Sequence, residues 1–246
     1  MPKFFVTQNQ VNDNKITLIG EDVKHIANVL RKQTGDVVNI CNTTTSENFL
    51  CQLEEISKEE IKCSIIEIVN SEAEPSTEIT IFQGLPKAEK MELIIQKCTE
   101  IGAKVFVPVE MERCVVKLDN KTASKKLERW QKIAETAAKQ SGRDIIPKVE
   151  NLINLQKVCN LIQNYDIVIL AYENEEQYTL KQALNNIVKK DVLKVGIIIG
   201  PEGGIDSKEV EMLEQSGAKT VTLGKRILRT ETVGISMTSI ILYELD

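Results

Sequence analysis

Glu202, Arg229 and Glu231 are the residues whose type and setting could do chemistry. Glu202 sits in GPEGG (200–204), and Lys225, Arg226, Arg229 and Glu231 sit in LGKRILRTET (223–232). Each segment follows a short apolar run that ends in glycine, and each precedes the start of a helix. Loops at the carboxyl ends of parallel strands line ligand crevices in α/β sheets, and glycine lets backbone groups approach a small molecule closely. An arginine there can stabilise developing negative charge, and a carboxylate can accept a proton. GPEGG is neither the GxGxxG dinucleotide fingerprint nor a phosphate loop, since no GK[ST] follows.

Each of these residues also has a purely structural reading. Asp206 and Glu209 form a capping pair for the next helix, which makes GPEGG an ordinary strand-to-helix turn. Glu231 in the first turn of the last helix favours the positive end of its dipole, and Arg229 can pair with it. Lys225 and Arg226 can be simply solvated. Backbone groups of 223–228, with the apolar faces of Ile227 and Leu228, suit a flat heterocycle.

Those loops need a scaffold, and the hydrophobic periodicity supplies one. From Ile79 onward strand-like and helix-like runs alternate: ITIFQG, then a helix with Met91, Ile94, Ile95, Cys98 and Ile101 on one face, stopped by Gly102. VFVPV, a helix near 124–140, DIVILAY (166–172) and a helix near 180–188 follow. Thr230 is placed to cap a last helix, to about Leu245, that buries Val233, Met237, Ile240 and Ile241. This alternation implies an α/β domain with a parallel sheet covered by helices. Before it, VVNIC, FLCQLEEI and IKCSIIEIV read as strands of a small barrel, with one helix near 22–30. The polar stretch SEAEPSTE (71–78) marks the boundary, which gives domains at 1–72 and 73–246.

The 246 residues, 42% of them hydrophobic, suffice for two cores. No apolar run reaches the roughly 20 residues of a membrane span, and MPKFFVTQNQ is not a signal peptide, so a cytoplasmic protein without a membrane partner is expected. Six cysteines lack a CxxC pair and His25 is the sole histidine, so no metal site is expected and the thiols should be buried and reduced. The net charge of −5 argues against a nucleic-acid partner on average. Locally, 113–148 carries ten Lys or Arg against four acids, which favours one basic face, although such a face is often merely solvated.

GPEGG and LGKRILRTET closely resemble the C-terminal signature of the ribosomal RNA small-subunit methyltransferase E family, S-adenosylmethionine enzymes of the knotted SPOUT class. MELIIQKCTEIG (91–102), PVEMERCVVK (108–117) and RWQKIAETAAKQSGRDIIP (129–147) resemble the family's central segments, and His25, Val29, Leu30 and Arg31 its N-terminal one. The resemblance implies a PUA-like RNA-binding β-barrel, then a SPOUT domain with a C-terminal trefoil knot, acting as a homodimer. It implies methylation of N3 of a specific uridine in 16S ribosomal RNA.

In that reading Leu170, Gly200, Glu202, Gly203, Leu223, Ile227 and Leu228 hold S-adenosylmethionine. Arg229 stabilises charge on the uracil, and Glu231 is a candidate proton acceptor. Lys3, Arg31, Arg113 and Arg143 are the RNA-side residues, although Lys3 stands where relatives usually carry arginine and cannot make a planar two-point grip. His25 reads more simply as a packed residue. VGISMTS departs from the alanine-rich run that relatives carry after TET. The alternatives are ribose 2′-O-methylation by the same fold and a non-enzymatic ribosome-assembly factor.

Overall fold

The computed structural model describes residues 2–188 and 190–246, with the side chain of Asn120 left out, and the chain divides into two compact units. The first contains residues up to Glu74 together with Ala138–Ile146, and the second contains Pro75–Ala137 and Pro147–Asp246.

In the first unit the alternating strands form one six-stranded sheet. They are β1 (Lys3–Val6), β2 (Val11–Asn12), β3 (Lys15–Ile19), β4 (Val37–Asn42), β5 (Asn48–Ile56) and β6 (Glu60–Val69), in the order β1-β4-β5-β6-β3-β2. β1 pairs with β4 in parallel and the other pairings are antiparallel. Pairing runs from β1 to β2 without joining those edges among the described residues, so the sheet is a half-barrel. Irregular register between β5 and β6 at Leu50/Cys51 and Leu53/Glu55 lets these strands bend. Phe4, Ile16, Leu18, Ile26, Ile40 and Leu53 are buried in its core. The expected helix near 22–30 is a short α-helix, α1 (Glu21–Lys24), continued by a π-type turn over His25–Val29.

The last turn of a long helix, α3 (Asn120–Ser141), and the loop after it group with this unit, and buried charge holds them there. Glu74 accepts from Arg143 Nη2 at 2.5 Å through one oxygen, and from Arg143 Nε (3.2 Å) and the Asp144 amide (2.8 Å) through the other. Lys3 pairs with Asp144, and Lys139 Nζ lies 2.7 Å from Asp22.

The second unit is built on parallel strands whose apolar runs are nearly continuous, as expected of a sheet covered on both faces. Along it lie β10 (Ile153–Asn154), β8 (Val105–Glu110), β7 (Thr77–Gly84), β12 (Leu193–Ile199), β11 (Ile167–Ala171) and β13 (Lys219–Val221), with β9 (Lys148–Val149) also on β8. The connecting helices are α2 (Lys90–Ile101), α4 (Leu155–Leu161), α5 (Leu180–Asn185), α6 (Ser207–Gln215) and α7 (Thr230–Leu245). Gly102 ends α2 at φ +134°, a conformation that side chains rarely adopt.

Two details of α7 differ from expectation. Arg229, not Thr230, occupies the N-cap position, and no side chain caps the helix. Thr230 is buried; its hydroxyl donates to the Gly200 carbonyl (2.7 Å) and accepts from Gln83 Nε2 (2.9 Å), so tertiary bonds take the group that would have capped. Ile240 lies on the outer face at 43% exposure, whereas Val233, Met237, Ile241 and Leu242 are buried. The helix near 180–188 is also shorter, ending at Asn185. All six cysteines are free and buried, and burial pushes the Cys51 and Cys63 thiols up to about 12.

Candidate active site

The carboxyl ends of β11, β12 and β13 and the start of α7 enclose a cavity of about 870 Å³ in the second unit. Its floor is Ala171, Ile199 and Val233, and its walls are the loops 172–179, 200–205 and 222–229. The size suits a cofactor-sized molecule, and apolar side chains alternate with charged ones, as in sites that bury a body and orient polar ends.

Glycine makes the 200–204 loop possible. A Cβ on Gly200 would lie 2.7 Å from Ile205 Cγ1, so the turn closes only without one. Gly204 has φ +72°, and a Cβ there would run into the Glu173 carboxylate, another cavity residue. Glu202, between them, accepts from the Lys87 amide (2.9 Å) and is ion-paired with Lys90 Nζ (3.0 Å). Burial works to raise its carboxyl, but the Lys87 amide, the Lys90 ammonium and its own amide together hold it below the ordinary carboxylate value.

Gly203 points elsewhere. Its carbonyl accepts from Arg113 Nη1 (3.2 Å), whose Nη2 reaches Asp206 (3.2 Å), and a Cβ on Gly203 would press on Arg113. Asp206 and Glu209 form the expected capping box of α6, and Glu209 also accepts from the Glu112 amide (2.9 Å). The loop is thus clamped from the 112–113 side.

Leu223, Ile227 and Leu228 line the cavity together with Lys225, Arg226 and Arg229. Ile227 is 89% exposed, a large apolar face open to a ligand. Arg229 is exposed and, among the described residues, has no ion pair, including none with Glu231. Glu231 instead lies 3.6 Å from Lys90 Nζ, and its Oε2 is buried without a hydrogen-bond partner among the described residues. Leu170 does not reach the cavity; it is fully buried in β11, directly before the lining residue Ala171.

The basic residues expected to face RNA have different settings. Arg31 is exposed at φ +52°, directly after the π-type turn, where the Lys32 amide bonds back to the Ile26 carbonyl (3.1 Å). Arg113 grips the 203–206 backbone and carboxylate, while Arg143 and Lys3 are buried in their ion pairs. His25 packs edge-on against Phe4 at 6.1 Å. Sequence reasoning missed Lys90, Gln83 and Glu173. Lys90 reads as one more polar helix residue, Gln83 as the end of a strand and Glu173 as part of a polar connection. Long-range partners set Lys90 and Gln83 apart, and a place in the cavity beside Gly204 sets Glu173 apart. Among the described residues, no helix is long and apolar enough to cross a membrane, and no cluster of three or more His, Cys, Asp or Glu could hold a metal.

A parallel α/β sheet with glycine-built loops and an exposed arginine at its carboxyl edge defines a ligand-binding domain of the α/β class, joined here to a small β-sheet module. The family model described as an RNA methyltransferase domain matches residues 72–242, and the one described as an RNA methyltransferase PUA domain matches 18–66. The chain belongs to the ribosomal RNA small subunit methyltransferase E family. It is 39% identical to the Bacillus subtilis (strain 168) member over all of this chain and 98% of the relative, and 32% identical to that of Mesomycoplasma hyopneumoniae (strain 232) over 96% of each. The crystal structure of the family member from Neisseria gonorrhoeae bound to S-adenosyl methionine superposes with a TM-score of 0.86 at 27% identity, covering 99% of this chain and 97% of that one.

Proposed function

We propose that this chain transfers the methyl group of S-adenosylmethionine to N3 of a uridine in 16S ribosomal RNA. The observation that carries the reading is the cavity itself, in which glycine-built strand-end loops stand opposite an arginine that has no ion pair among the described residues. The residues present fit such a cofactor. Leu223, Ile227 and Leu228 offer apolar faces, the backbone at Gly224 has open space beside it, and Glu173 and Glu202 complement cationic groups. Leu170 contributes from behind, by fixing the strand end that carries Ala171. When bound, S-adenosylmethionine supplies a methyl group activated by its sulfonium.

The chain's own task is then to position and to manage charge. Uridine N3 carries a proton at neutral pH, so negative charge develops on the uracil oxygens as that proton leaves. Arg229, which lines the cavity, stabilises that charge, and Glu231, whose buried carboxylate lies outside the cavity lining, is assigned the proton. Arg31 is the RNA contact with an exposed side chain. Arg113 acts on RNA through the 203–206 loop it clamps, and contact by Lys3 or Arg143 requires exchange of their present carboxylate partners.

The same reading assigns 1–72 to RNA binding as a PUA-like barrel and 73–246 to transfer as a SPOUT domain. The bonds from Thr230 to Gly200 and Gln83 bring the C-terminal segment against the ends of β12 and β7, and the family reading adds a C-terminal trefoil knot there. Leu93, Ile240 and Tyr243, exposed on the mutually packed helices α2 and α7, support a homodimer, acting on ribosomal subunits in the cytoplasm.

The test is incubation with labelled S-adenosylmethionine and small ribosomal subunits that lack the modification, followed by digestion and identification of the labelled nucleoside. Recovery of 3-methyluridine is the expected result. Label in a ribose-methylated nucleoside would replace the N3 assignment with 2′-O-methylation, and RNA binding without transfer would leave an assembly factor.

A further inference from the structure

Lys90 lies between two carboxylates, that of Glu202, which lines the cavity, and that of Glu231, which lies outside the cavity lining. It is the first residue of α2, and its ammonium lies 3.0 Å from Glu202 Oε1 and 3.6 Å from Glu231 Oε2. The three side chains are sheltered unevenly: Lys90 is 30% exposed, Glu202 25% and Glu231 13%. Three separate segments meet there: the start of α2, the loop after β12 and the first turn of α7. Lys90 also lines the cavity and, with Glu89, Glu92, Leu93, Gln96 and Ile133, an adjoining groove of about 510 Å³.

The asymmetry of this bridge is informative. Glu202 accepts a hydrogen bond from the Lys87 amide and is ion-paired with the Lys90 ammonium at 3.0 Å. Glu231 Oε2 is buried, has no hydrogen-bond partner within 3.5 Å among the described residues, and is paired with the Lys90 ammonium at 3.6 Å. Leaving a buried carboxylate oxygen wholly unpaired is costly, and a nearby cation reduces that cost without occupying the oxygen's lone pairs. An ammonium has three donors, so Lys90 can hold Glu202 and still attract Glu231.

We propose that Lys90 is a positioning residue for methyl transfer: it ties the 200–204 loop to the first turn of α7 by pairing with Glu202 and Glu231 together, and so fixes the turn that follows Arg229. This rests on the uridine-N3 reading above. Lys90 touches neither reacting group in this role; it acts through Glu202 and Glu231.

The test uses Lys90→Met, Lys90→Arg, Glu231→Gln and the double variant Lys90→Met/Glu231→Gln in the full chain. Lys90→Met should lower kcat about tenfold, with KM for ribosomal subunits unchanged within about twofold, and Lys90→Arg should recover most of the loss. Because Lys90 acts through Glu231, adding Lys90→Met to Glu231→Gln should lower kcat no further. Fully additive losses, or an unchanged kcat in Lys90→Met, overturn the proposal.

A second arm needs no turnover. In cofactor-free protein, the carboxyl carbon of Glu202 is followed through a pH titration by NMR, its signal assigned as the one lost in Glu202→Gln. The charged groups that face this carboxyl are Lys90 and, beyond it, Glu231, and the Lys87 amide also bonds it. Glu202 should titrate below the ordinary 4.5 in the wild type and move upward in Lys90→Met; identical midpoints refute the bridge. Failure of the wild type to make 3-methyluridine would overturn the function and the positioning role together, while the titration would still decide whether the bridge exists.

Discussion

Arg143 in the first unit and Arg229 in the second are both arginines in loops beside a helix end, yet they are used in opposite ways. Arg143 is 3% exposed and locked onto Glu74, which also accepts the Asp144 and Ile145 amides. Arg229 is exposed beside the cavity and has no ion pair among the described residues. A buried, fully partnered arginine specifies where a segment of chain lies; an unpartnered one at a cavity keeps its donors for a ligand. The sequence shows the same residue type in both places, and only the partner distinguishes a clasp from a tool.

The largest effect should come from filling the cradle. Gly204→Val places a branched side chain at φ +72° and into the Glu173 carboxylate, and should weaken S-adenosylmethionine binding at least about 100-fold by calorimetry. Near wild-type affinity would show that this loop does not hold the cofactor. The clasp should show itself in stability: Arg143→Met leaves Glu74 without its cation and should cost about 3 kcal/mol in urea unfolding, with cofactor affinity preserved. If Arg143→Met instead leaves stability intact and weakens RNA binding, the contrast between the two arginines collapses.

Arg31 gives the smallest and most discriminating change. It adopts φ +52° at the end of a helical turn, where glycine is the comfortable residue. Arg31→Gly should therefore raise stability by up to about 1 kcal/mol while increasing KM for ribosomal subunits a few-fold. A loss of stability, or an unchanged KM, would count against strain being tolerated there for RNA contact.

Much of the fold is legible in the sequence because it follows from local pattern. The alternation in FLCQLEEI and IKCSIIEIV, the helical face of Met91, Ile94, Ile95 and Cys98, and the Asp206–Glu209 capping box all form as their spacing predicts. GPEGG and LGKRILRTET stand out because glycine directly after an apolar run marks a strand end that turns sharply, and both segments line the cavity. The rest depends on partners far away in the chain. Glu74 is 69 residues from Arg143, Glu202 115 from Lys87, and Thr230 147 from Gln83. Thr230 has the spacing of a cap, but its tertiary bonds to Gly200 and Gln83 outcompete a local one, and spacing carries no trace of them.

The central claim is a division of labour in which the strand-end loops hold the cofactor and Arg229 serves transfer. It is tested most directly by measuring both quantities on Arg229→Ala: S-adenosylmethionine affinity by calorimetry, and labelled methyl transfer to small ribosomal subunits. Transfer reduced at least about 100-fold with affinity within about threefold of wild type is the result expected, since removing a charge-stabilising donor acts mainly on the transition state. Transfer at the wild-type rate, or a loss of cofactor binding equal to the loss of transfer, would contradict it.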